Sequence, residues 1–292
     1  MPRKEKILVI GSEGMLGSAV VERLKQERLK DKTFELFTAD EIDCDITERE
    51  ETLLHVMSIA PGLIINCAAY TDVDGAEANA AQAHRVNADG PEHLAEACYN
   101  CGARLIHIST EYVFDGQKPA PYVETDEPNP LGEYAKSKLQ GEKNIGIFLQ
   151  DCLILRTSWL FGPRGKNFVD TVLRLADERE EIKMVNDQTG APTYSLDLAD
   201  AICRLIHSEI TGIYHLAGPD YCTWYEFARY ILDVAGKKLR MTPIDTAHYE
   251  RPAKRPLNCR LDCSKIFRDA GIRLRPWKET VAEYIRNFKA TT

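Results

Sequence analysis

The beginning of the chain constrains the fold more than any other segment, because an aliphatic run, a glycine turn and an amphipathic pattern follow one another without a break. The run covers residues 7–10, glycines stand at positions 11, 14 and 17, and apolar residues then recur at helical spacing as far as Leu24. A strand that passes through a glycine turn into a helix predicts a unit that binds a dinucleotide. The glycines let the backbone approach a pyrophosphate, and the helix N-terminus offers it N–H groups.

The spacing of these glycines is G-x-x-G-x-x-G, which differs from the commoner G-x-G-x-x-G. Glycine-rich turns also connect plain strand–helix units, so the prediction depends on the position of the turn between a strand and a helix. The residues that we assign to the cofactor in this turn are Gly11, Ser12, Gly14, Met15, Leu16 and Gly17.

An acidic residue follows where such folds bind the adenosine ribose. A second strand is predicted over residues 34–38, and Asp40 lies beyond it, at roughly the 20-residue spacing that dinucleotide-binding folds use. An ordinary loop aspartate is an equally good interpretation of Asp40. Asp40 and Glu41 would repel a 2′-phosphate, which favours NADH, but the sequence leaves the choice between NADH and NADPH open.

Two further segments are candidates for the cofactor pocket. Asp45 and Ile46 either line an adenine pocket or form an acidic turn before the next helix. A third strand begins at Leu63 and runs into the small residues Ala68 and Ala69, which would let a cofactor ring approach the backbone. Both segments therefore join the glycine turn in the predicted dinucleotide site.

A second group of residues has the chemistry that carbonyl reduction needs. Tyr134 and Lys138 stand four residues apart on a predicted helix, and the hydroxyls of Ser109 and Thr110 end an earlier strand. Side chains at i and i+4 share one helix face, so Lys138 is expected to lower the pKa of the Tyr134 phenol from its reference value of about 10. The phenol would then protonate a carbonyl that accepts a hydride. A Tyr/Lys pair alone is also typical of a solvated helix face.

The composition excludes several other classes of protein. The chain has 292 residues, is 44% hydrophobic and carries a formal net charge of -8. No Lys/Arg cluster indicates a nucleic-acid surface, and no apolar run reaches the ~18 residues of a membrane span. The first residues lead directly into a strand, so no signal peptide is predicted. Nine scattered cysteines favour free thiols in the cytoplasm. Two pairs could suggest zinc, but Cys98 and Cys101 end a helix and Cys259 and Cys263 have the wrong spacing, so no metal site is predicted.

Strands and helices alternate along the first half of the chain. Further strands are predicted over residues 104–109 and 152–156, and one long helix over residues 78–101. Successive strand–helix units predict an α/β fold of the Rossmann type, a doubly wound parallel sheet with right-handed crossovers.

The pattern becomes less regular after Trp159. Helices are predicted over residues 168–178, 196–207, 224–235 and 278–288, and short strands over residues 182–185 and 212–216. We therefore predict a dinucleotide-binding domain of residues 1–160, to which residues 187–208 return. Residues 161–292 would form a smaller, discontinuous C-terminal α+β lobe that binds the substrate.

Taken together, these residues resemble the extended short-chain dehydrogenases/reductases, and within them the dTDP-4-dehydrorhamnose reductase family. The resemblance runs almost from end to end, and the ordered set of motifs is specific although no single motif is decisive. The motifs are the glycine turn, residues 66–74, residues 109–116, Tyr134 and Lys138 with residues 141–142, residues 156–162, residues 187–193 and residues 255–256.

The resemblance implies an NADPH- or NADH-dependent reduction of the 4-keto group of a dTDP-linked 6-deoxy sugar, which gives dTDP-L-rhamnose. By position, it implies that Thr110, Tyr134 and Lys138 are catalytic. It places on the cofactor side Cys67, Ala68, Ala69, Tyr70 and Asn87, together with Tyr134 and Lys138. It places around the nucleotide sugar Thr71, Val73, Thr110, Tyr112, Trp159, Asn167, Gln188 and Arg255. The aromatic face of Trp159 would suit the apolar side of a deoxy sugar.

The chain departs from the family at two places. The family usually has Asp where this chain has Glu111, whose longer side chain could shift a loop while its charge remains. Some members dimerise around a metal held by a glutamate of the first helix, but this chain has residues 17–20, Gly-Ser-Ala-Val, in that stretch. We therefore predict no such metal site and leave open whether the protein is a monomer or a homodimer.

Two alternatives to this function remain at the level of the sequence. The same catalytic residues would serve a reductase or epimerase of another nucleotide sugar. A non-catalytic NAD(P)-binding regulatory subunit is a different class of protein, against which the intact Thr110, Tyr134 and Lys138 argue.

Overall fold

The computed structural model describes residues 5–31 and 34–288, so the prediction about a signal peptide concerns a segment that lies mostly outside the described part of the chain. The strands are β1 (Glu5–Ile10), β2 (Phe34–Ala39), β3 (Leu63–Asn66), β4 (Arg104–Thr110), β5 (Leu153–Thr157), β6 (Leu160–Phe161), β7 (Glu181–Val185), β8 (Thr189–Gly190), β9 (Thr193–Tyr194), β10 (Gly212–His215), β11 (Cys222–Thr223) and β12 (Arg240–Ile244).

The helices alternate with these strands. They are α1 (Met15–Asp31), α2 (Arg49–Ile59), α3 (Val73–Ala78), α4 (Ala80–His84), α5 (Gly90–Cys101), α6 (Glu133–Phe148), α7 (Phe168–Glu178), α8 (Ser195–Leu205), α9 (Trp224–Ala235), α10 (Ser264–Ala270) and α11 (Trp277–Phe288). None of these helices combines the length and the apolar character that crossing a bilayer requires.

A six-stranded parallel sheet organises the molecule, in the order β10-β5-β4-β3-β1-β2. The chain passes from β1 to β2 on one side and then crosses to β3 on the other side of β1. The strand order therefore reverses between β1 and β3, and in open α/β sheets ligands bind in the crevice at such a reversal. The predicted doubly wound parallel sheet of the Rossmann type is confirmed.

Helices cover both faces of this sheet, which explains why its central strands β1 and β3 are largely buried apolar runs. Side chains alternate along β1, so that Ile7 and Val9 pack with α1 and α8, whereas Leu8 and Ile10 pack in the layer of α2 and α5. Helix α8 lies against α1 in the first of these layers, although it follows the first five sheet strands by a long stretch of sequence.

The C-terminal part of the chain has a core of its own, built where α7, α9 and α11 meet. Phe161, Phe227, Trp277 and Tyr284 are buried in this third cluster. Two small sheets flank it, a parallel pair of β12 with β7 and an antiparallel pair of β11 with β8. This arrangement of short strands and helices is the α+β architecture predicted for this part of the sequence.

The long helix predicted over residues 78–101 is wrong in one respect, because the structure divides it. Helix α4 ends at His84, a π-helical turn covers Arg85–Asp89, and α5 continues from Gly90. The turn directs the buried Asn87 side chain to the backbone of Tyr70, with which it makes two hydrogen bonds. A tertiary contact therefore interrupts a segment whose apolar spacing is helical throughout, as is common for π turns at functional sites.

Candidate active site

A cavity of about 930 Å³ opens at the carboxyl ends of β1, β3, β4 and β5. Its size lies within the range of small-molecule sites. The predicted site residues that line it are Gly11, Gly14, Met15, Leu16, Asp40, Asp45, Ile46, Cys67, Ala68, Ala69, Tyr70, Thr71, Val73, Thr110, Tyr112, Tyr134, Lys138 and Trp159. The predicted site residues outside its lining are Ser12, Gly17, Asn87, Asn167, Gln188 and Arg255.

The glycine turn passes directly against the end of β3. Gly11 has a φ of 72°, and a Cβ atom built there would lie 2.5 Å from the backbone N of Ala68. A Cβ atom on Gly17 would lie 2.0 Å from the Gly11 carbonyl oxygen, so Gly17 permits helix–turn packing instead of facing the cavity. The Ser12 N–H donates to the Ala39 carbonyl at 3.2 Å and holds the turn on β2. The N-terminus of α1 consequently faces the cavity, where its N–H groups and dipole suit an anion.

Acidic residues line the β2 side of the same cavity. Asp40 follows directly after β2, and its Oδ1 accepts a hydrogen bond from the Ile42 N–H at 3.1 Å. Glu41 and Asp45 line the cavity beside it. This end of the cavity therefore has a negative potential, which disfavours an additional phosphate.

Asn87 supports the cavity wall from behind. Its Oδ1 accepts from the Tyr70 N–H at 2.8 Å, and its Nδ2 donates to the Tyr70 carbonyl at 3.0 Å and to Ser137 Oγ at 3.0 Å. One buried amide thus ties the loop after β3 to α6, which carries Tyr134 and Lys138.

The hydroxyl of Thr110 is the centre of a hydrogen-bond cluster at the end of β4. Thr110 Oγ1 donates to Glu111 Oε2 at 2.9 Å and accepts from the Tyr112 N–H at 3.2 Å. The phenol of Tyr134 also hydrogen-bonds to Thr110, and its ring meets that of Tyr112 edge to face at 6.1 Å. Strand β4 and helix α6 thereby bring together residues that are far apart in the sequence.

The ammonium of Lys138 lies in the same wall and is buried. Its Nζ donates to the Ile108 carbonyl at 2.6 Å and lies 3.4 Å from His107 Nε2. Asn66 Oδ1 accepts from the Ala68 N–H, so the amide nitrogen of Asn66 faces His107 Nδ1 at 3.1 Å and donates to it. Burial and the nearby Lys138 lower the pKa of His107 well below its usual value, so this histidine is a neutral, packed residue.

Burial shifts the pKa of each ionisable group at the reacting end. It raises the pKa of Glu111 from 4.5 to about 7, although several hydrogen bonds oppose it. It lowers the pKa of Lys138 from 10.5 to about 8, against the opposing effect of Glu142. Burial and the Glu111 carboxylate raise the pKa of Tyr134 above its usual value, although the Thr110 hydrogen bond lowers it. The net shift of the Tyr134 pKa is therefore upward and not downward as predicted, because burial and the neighbouring carboxylate, which helical spacing does not reveal, dominate at the phenol.

A buried ion pair fixes α6 against the sheet. Arg156 of β5 donates from Nε and Nη2 to the two carboxylate oxygens of Glu142, at 2.9 and 2.6 Å. Ser109 Oγ donates to the same carboxylate at 2.5 Å. Since Ser109 precedes Thr110 and Glu142 lies one turn beyond Lys138, this network sets the distance between the strand and the helix that carry the reactive residues.

Two stacked indoles close the other end of the cavity. Trp159 and Trp224 are parallel within 8°, with ring centroids 3.4 Å apart. A Cβ atom on Gly190 would lie 2.3 Å from the Trp159 ring, so both faces of Trp159 are covered. Trp224 Nε1 donates to Gln188 Oε1 at 3.1 Å. Gln188 therefore positions Trp224, which the sequence analysis missed because no motif surrounds it.

Asn167 and Arg255 make their polar contacts with the protein. Asn167 caps α7 through the Asp170 N–H, and its Nδ2 donates to the Gly162 carbonyl at 3.0 Å. Arg255 Nη1 donates to Asp74 Oδ1 at 2.9 Å.

The cavity lining includes residues that the sequence analysis did not assign. They are Ile10, Glu41, Cys44, Thr47, Gln82, Val86, Ile108, Ser109, Glu111, Thr157, Ser158, Leu160, Gly165, Lys166 and Trp224. The sequence analysis named Ser109 as a strand-end hydroxyl and Glu111 as a departure from the family, but it gave neither of them a contact in the site. All nine cysteines are free thiols. The described residues contain no group of three or more His, Cys, Asp or Glu side chains arranged to hold a metal ion.

Comparison with known proteins gives a consistent result. Residues 5–290 match the family model of the RmlD substrate binding domain. A curated relative from Aggregatibacter actinomycetemcomitans, named dTDP-4-dehydrorhamnose reductase, is 40% identical over 297 residues, which cover 98% of this chain and 98% of the relative.

Solved structures are similar over the same length. The dTDP-4-dehydrorhamnose reductase of Clostridium acetobutylicum superposes with a TM-score of 0.91 at 39% identity, over 96% of this chain and 98% of that one. The dTDP-4-dehydrorhamnose reductase of Bacillus anthracis, in complex with NADP, superposes with a TM-score of 0.91 at 36% identity, over 97% and 99% of the two chains. The similarity therefore extends over both halves of the molecule.

Proposed function

Since the chain belongs to the RmlD substrate binding domain family, we propose that it is an NAD(P)H-dependent reductase of a nucleotide sugar. Its reaction is the reduction of the 4-keto group of dTDP-4-dehydro-6-deoxy-L-mannose, which gives dTDP-L-rhamnose. The observation that carries the proposal is that a single cavity joins the glycine turn of Gly11 and Gly14 to Thr110, Tyr134 and Lys138.

The β1 end of this cavity fits a dinucleotide, because the turn at Gly11 leaves no room for a side chain and α1 begins beside it. Gly11, Gly14 and the first residues of α1 would hold the pyrophosphate, and Asp40 would hold the adenosine ribose. Lys138 would bind the nicotinamide ribose. When bound, the reduced cofactor supplies the hydride. Either NADH or NADPH meets this description.

Residues of the protein supply the proton that the ketone oxygen takes up. The pKa of Tyr134 is above its usual value, so the phenol is protonated at neutral pH and is present as an acid. Tyr134 gives its proton to the ketone oxygen as that oxygen gains negative charge. The ammonium of Lys138, on the same helix face, stabilises the phenolate that remains, and solvent then returns a proton to it. Thr110 orients the ketone oxygen.

The indole pair gives the substrate end an apolar surface for a deoxy sugar. Both faces of Trp159 are covered, whereas Trp224 is half-buried and lines the cavity. We propose that the remaining residues assigned to the substrate side either contact the nucleotide sugar or hold the residues that do. They are Thr71, Val73, Tyr112, Asn167, Gln188 and Arg255.

The test is to follow the absorbance of NADPH and of NADH with purified protein and dTDP-4-dehydro-6-deoxy-L-mannose. We expect cofactor oxidation and formation of dTDP-L-rhamnose. UDP- and GDP-linked keto sugars form the matched panel. Faster turnover of one of these would assign a different nucleotide, and cofactor binding without oxidation across the panel would indicate a regulatory subunit.

The domain boundaries, the cellular compartment and the oligomeric state of the protein belong to the same proposal. Residues 1–160 with 187–208 would form the dinucleotide-binding domain, which is supported by the packing of α8 on α1. Residues 161–292, apart from this return and from β10, which pairs with β5 in the main sheet, would form the substrate lobe. The nine free thiols suit a cytoplasmic protein. Size-exclusion chromatography with light scattering would decide between a monomer and a homodimer.

A further inference from the structure

The hydroxyl of Thr110 has one proton, and in this structure that proton goes to Glu111. Oγ1 lies 2.9 Å from Glu111 Oε2 and accepts the Tyr112 N–H at 3.2 Å, and its third partner is the phenol of Tyr134. A hydroxyl whose only proton is engaged by a carboxylate has none left for a ketone oxygen. Thr110 therefore cannot donate to the substrate while Glu111 is ionised and in this position.

Glu111 is held firmly in this position. Its side chain is buried, with 5% of the residue exposed, in the turn that follows β4. The carboxyl group also hydrogen-bonds with the Ser158 side chain and with the backbone of Trp159. These contacts face the carboxyl group from the segment after β5, so the carboxyl group joins two neighbouring strand ends of the sheet.

The groups around Glu111 leave its protonation free to change near neutrality. The weak acids that face it are the phenols of Tyr112 and Tyr134 and the thiol of Cys259, and burial raises the pKa of each, so all three are neutral. Of the cations of this region, Lys138 donates to a backbone carbonyl and Arg255 pairs with Asp74. Burial raises the pKa of Glu111 to about 7, so the acid and the carboxylate are both populated at neutral pH.

We propose that Glu111 is a positioning residue that sets the direction in which Thr110 donates its proton. With the Tyr134 phenol turned to the ketone oxygen of the nucleotide sugar, the protonated carboxyl takes its place as donor to Thr110 Oγ1 and leaves the Thr110 proton for the same ketone oxygen, whereas the carboxylate withdraws that proton. This inference rests on the proposed function and adds a control of the same site by pH.

The direction of the pH dependence follows because protonated Glu111 is the form in which Thr110 can donate to the ketone. Activity is highest below the pKa of Glu111 and falls as pH rises through about 7. The ammonium of Lys138, whose pKa is about 8, adds a second fall at higher pH. In Glu111→Gln, the Trp159 backbone and Ser158 engage the amide oxygen, so the amide N–H2 group faces Thr110 and acts as a permanent donor.

The experiment measures kcat/KM for NADPH oxidation with dTDP-4-dehydro-6-deoxy-L-mannose from pH 6 to pH 9. Wild type is expected to lose about tenfold or more between pH 6 and pH 8, and Glu111→Gln only about twofold, since one protonation governs each fall. Glu22→Gln, an exposed change on α1, is the matched control and should follow wild type. Coinciding wild-type and Glu111→Gln profiles would overturn the inference, whereas absence of NADPH oxidation by wild type would overturn the proposed function instead.

A second variant keeps the inference testable if Glu111→Gln does not fold, which thermal unfolding would reveal. Thr110→Val retains the carboxyl group and removes the hydroxyl through which it acts. Its residual activity is expected to lose the fall near pH 7 and to keep the fall near pH 8. A fall near pH 7 that persists in Thr110→Val would show that Glu111 does not act through the Thr110 hydroxyl, and would overturn the inference.

Discussion

Several residues that the family motifs indicate make their hydrogen bonds within the protein. Asn87 holds the Tyr70 backbone, Gln188 holds Trp224, and Asn167 caps α7. A motif marks such residues as necessary for function. It does not show whether a residue contacts the ligand itself or supports a neighbouring residue that contacts the ligand. Their effect on a reaction would pass through the residues that they position.

The clearest prediction at this scale concerns the proton donor. Tyr134→Phe removes the phenol hydroxyl and keeps the ring, so the affinity for NADPH should be unchanged while kcat falls about 10²–10⁴-fold, the usual contribution of a general acid. Stopped-flow turnover and a fluorescence titration with NADPH measure the two quantities. Tyr99→Phe, on an exposed position of α5, is the control. A Tyr134→Phe enzyme with near wild-type kcat would remove Tyr134 from the mechanism.

Cofactor preference is a second property of one residue. Asp40→Ala removes a carboxylate from the end of the cavity where Glu41 and Asp45 also lie. The 2′-phosphate of NADPH then meets less repulsion, and the ribose hydroxyls of NADH lose an acceptor. We expect the ratio of kcat/KM for NADH to that for NADPH to fall, by about tenfold or less. Asp151→Ala, an exposed change before the start of β5 and outside the cavity lining, should leave the ratio unchanged. An unchanged ratio in Asp40→Ala would exclude Asp40 as the ribose ligand.

At the scale of elements, helix α6 determines the geometry of the reacting end. It is held from its own C-terminal half, where Glu142 meets Arg156 of β5 and Ser109 of β4. Arg156 also lies over the Phe114 ring, 5.2 Å from its centroid. The reactive face of α6 is therefore fixed to two strands by charges that the cavity does not expose.

Breaking this ion pair should cost stability. Glu142→Ala leaves the Arg156 guanidinium buried without a counter-charge, and we expect a loss of about 3–5 kcal/mol in the free energy of unfolding. Glu142→Leu combined with Arg156→Met should recover most of that loss, because it buries no charge. Glu178→Ala breaks the exposed pair with Arg174 and should cost less than about 1 kcal/mol. Equal costs in urea unfolding for the buried and the exposed pair would refute this account.

The sequence predicted correctly those elements whose regularly spaced apolar residues are the same residues that pack against the rest of the fold. Helices α7 and α9 have the predicted bounds, since each buries one regular stripe. Strand β12 escaped prediction because its residues are largely exposed and include Pro243. In the same way, the motifs identified Thr110, Tyr134 and Lys138, but not that Glu111 would be buried beside them. Burial is produced by the whole fold, so a local pattern does not contain it.

At the scale of the whole molecule, the cavity draws on both halves of the chain. Its dinucleotide end is built by β1, α1 and the loop after β2, and its far end is closed by Trp224 of α9, which belongs to the C-terminal core. Trp224, which would contact the sugar, therefore resides on a different packing unit from the glycine turn that would hold the cofactor. Changes in the C-terminal unit should affect the sugar and spare the cofactor.

Trp224→Ala tests this separation. The change removes the indole that stacks on Trp159 and lines the cavity, so KM for the nucleotide sugar should rise about tenfold or more, in keeping with the loss of a large aromatic contact, while the Kd of NADPH stays the same. Trp224→Phe should retain part of the affinity. Tyr225→Ala is the matched control, because Tyr225 is the next residue of α9 but its side chain lines a groove on the outer surface. If Trp224→Ala weakened NADPH and the nucleotide sugar equally, the two ends of the cavity would not be independent, and the indole would serve the stability of the fold and not recognition of the sugar.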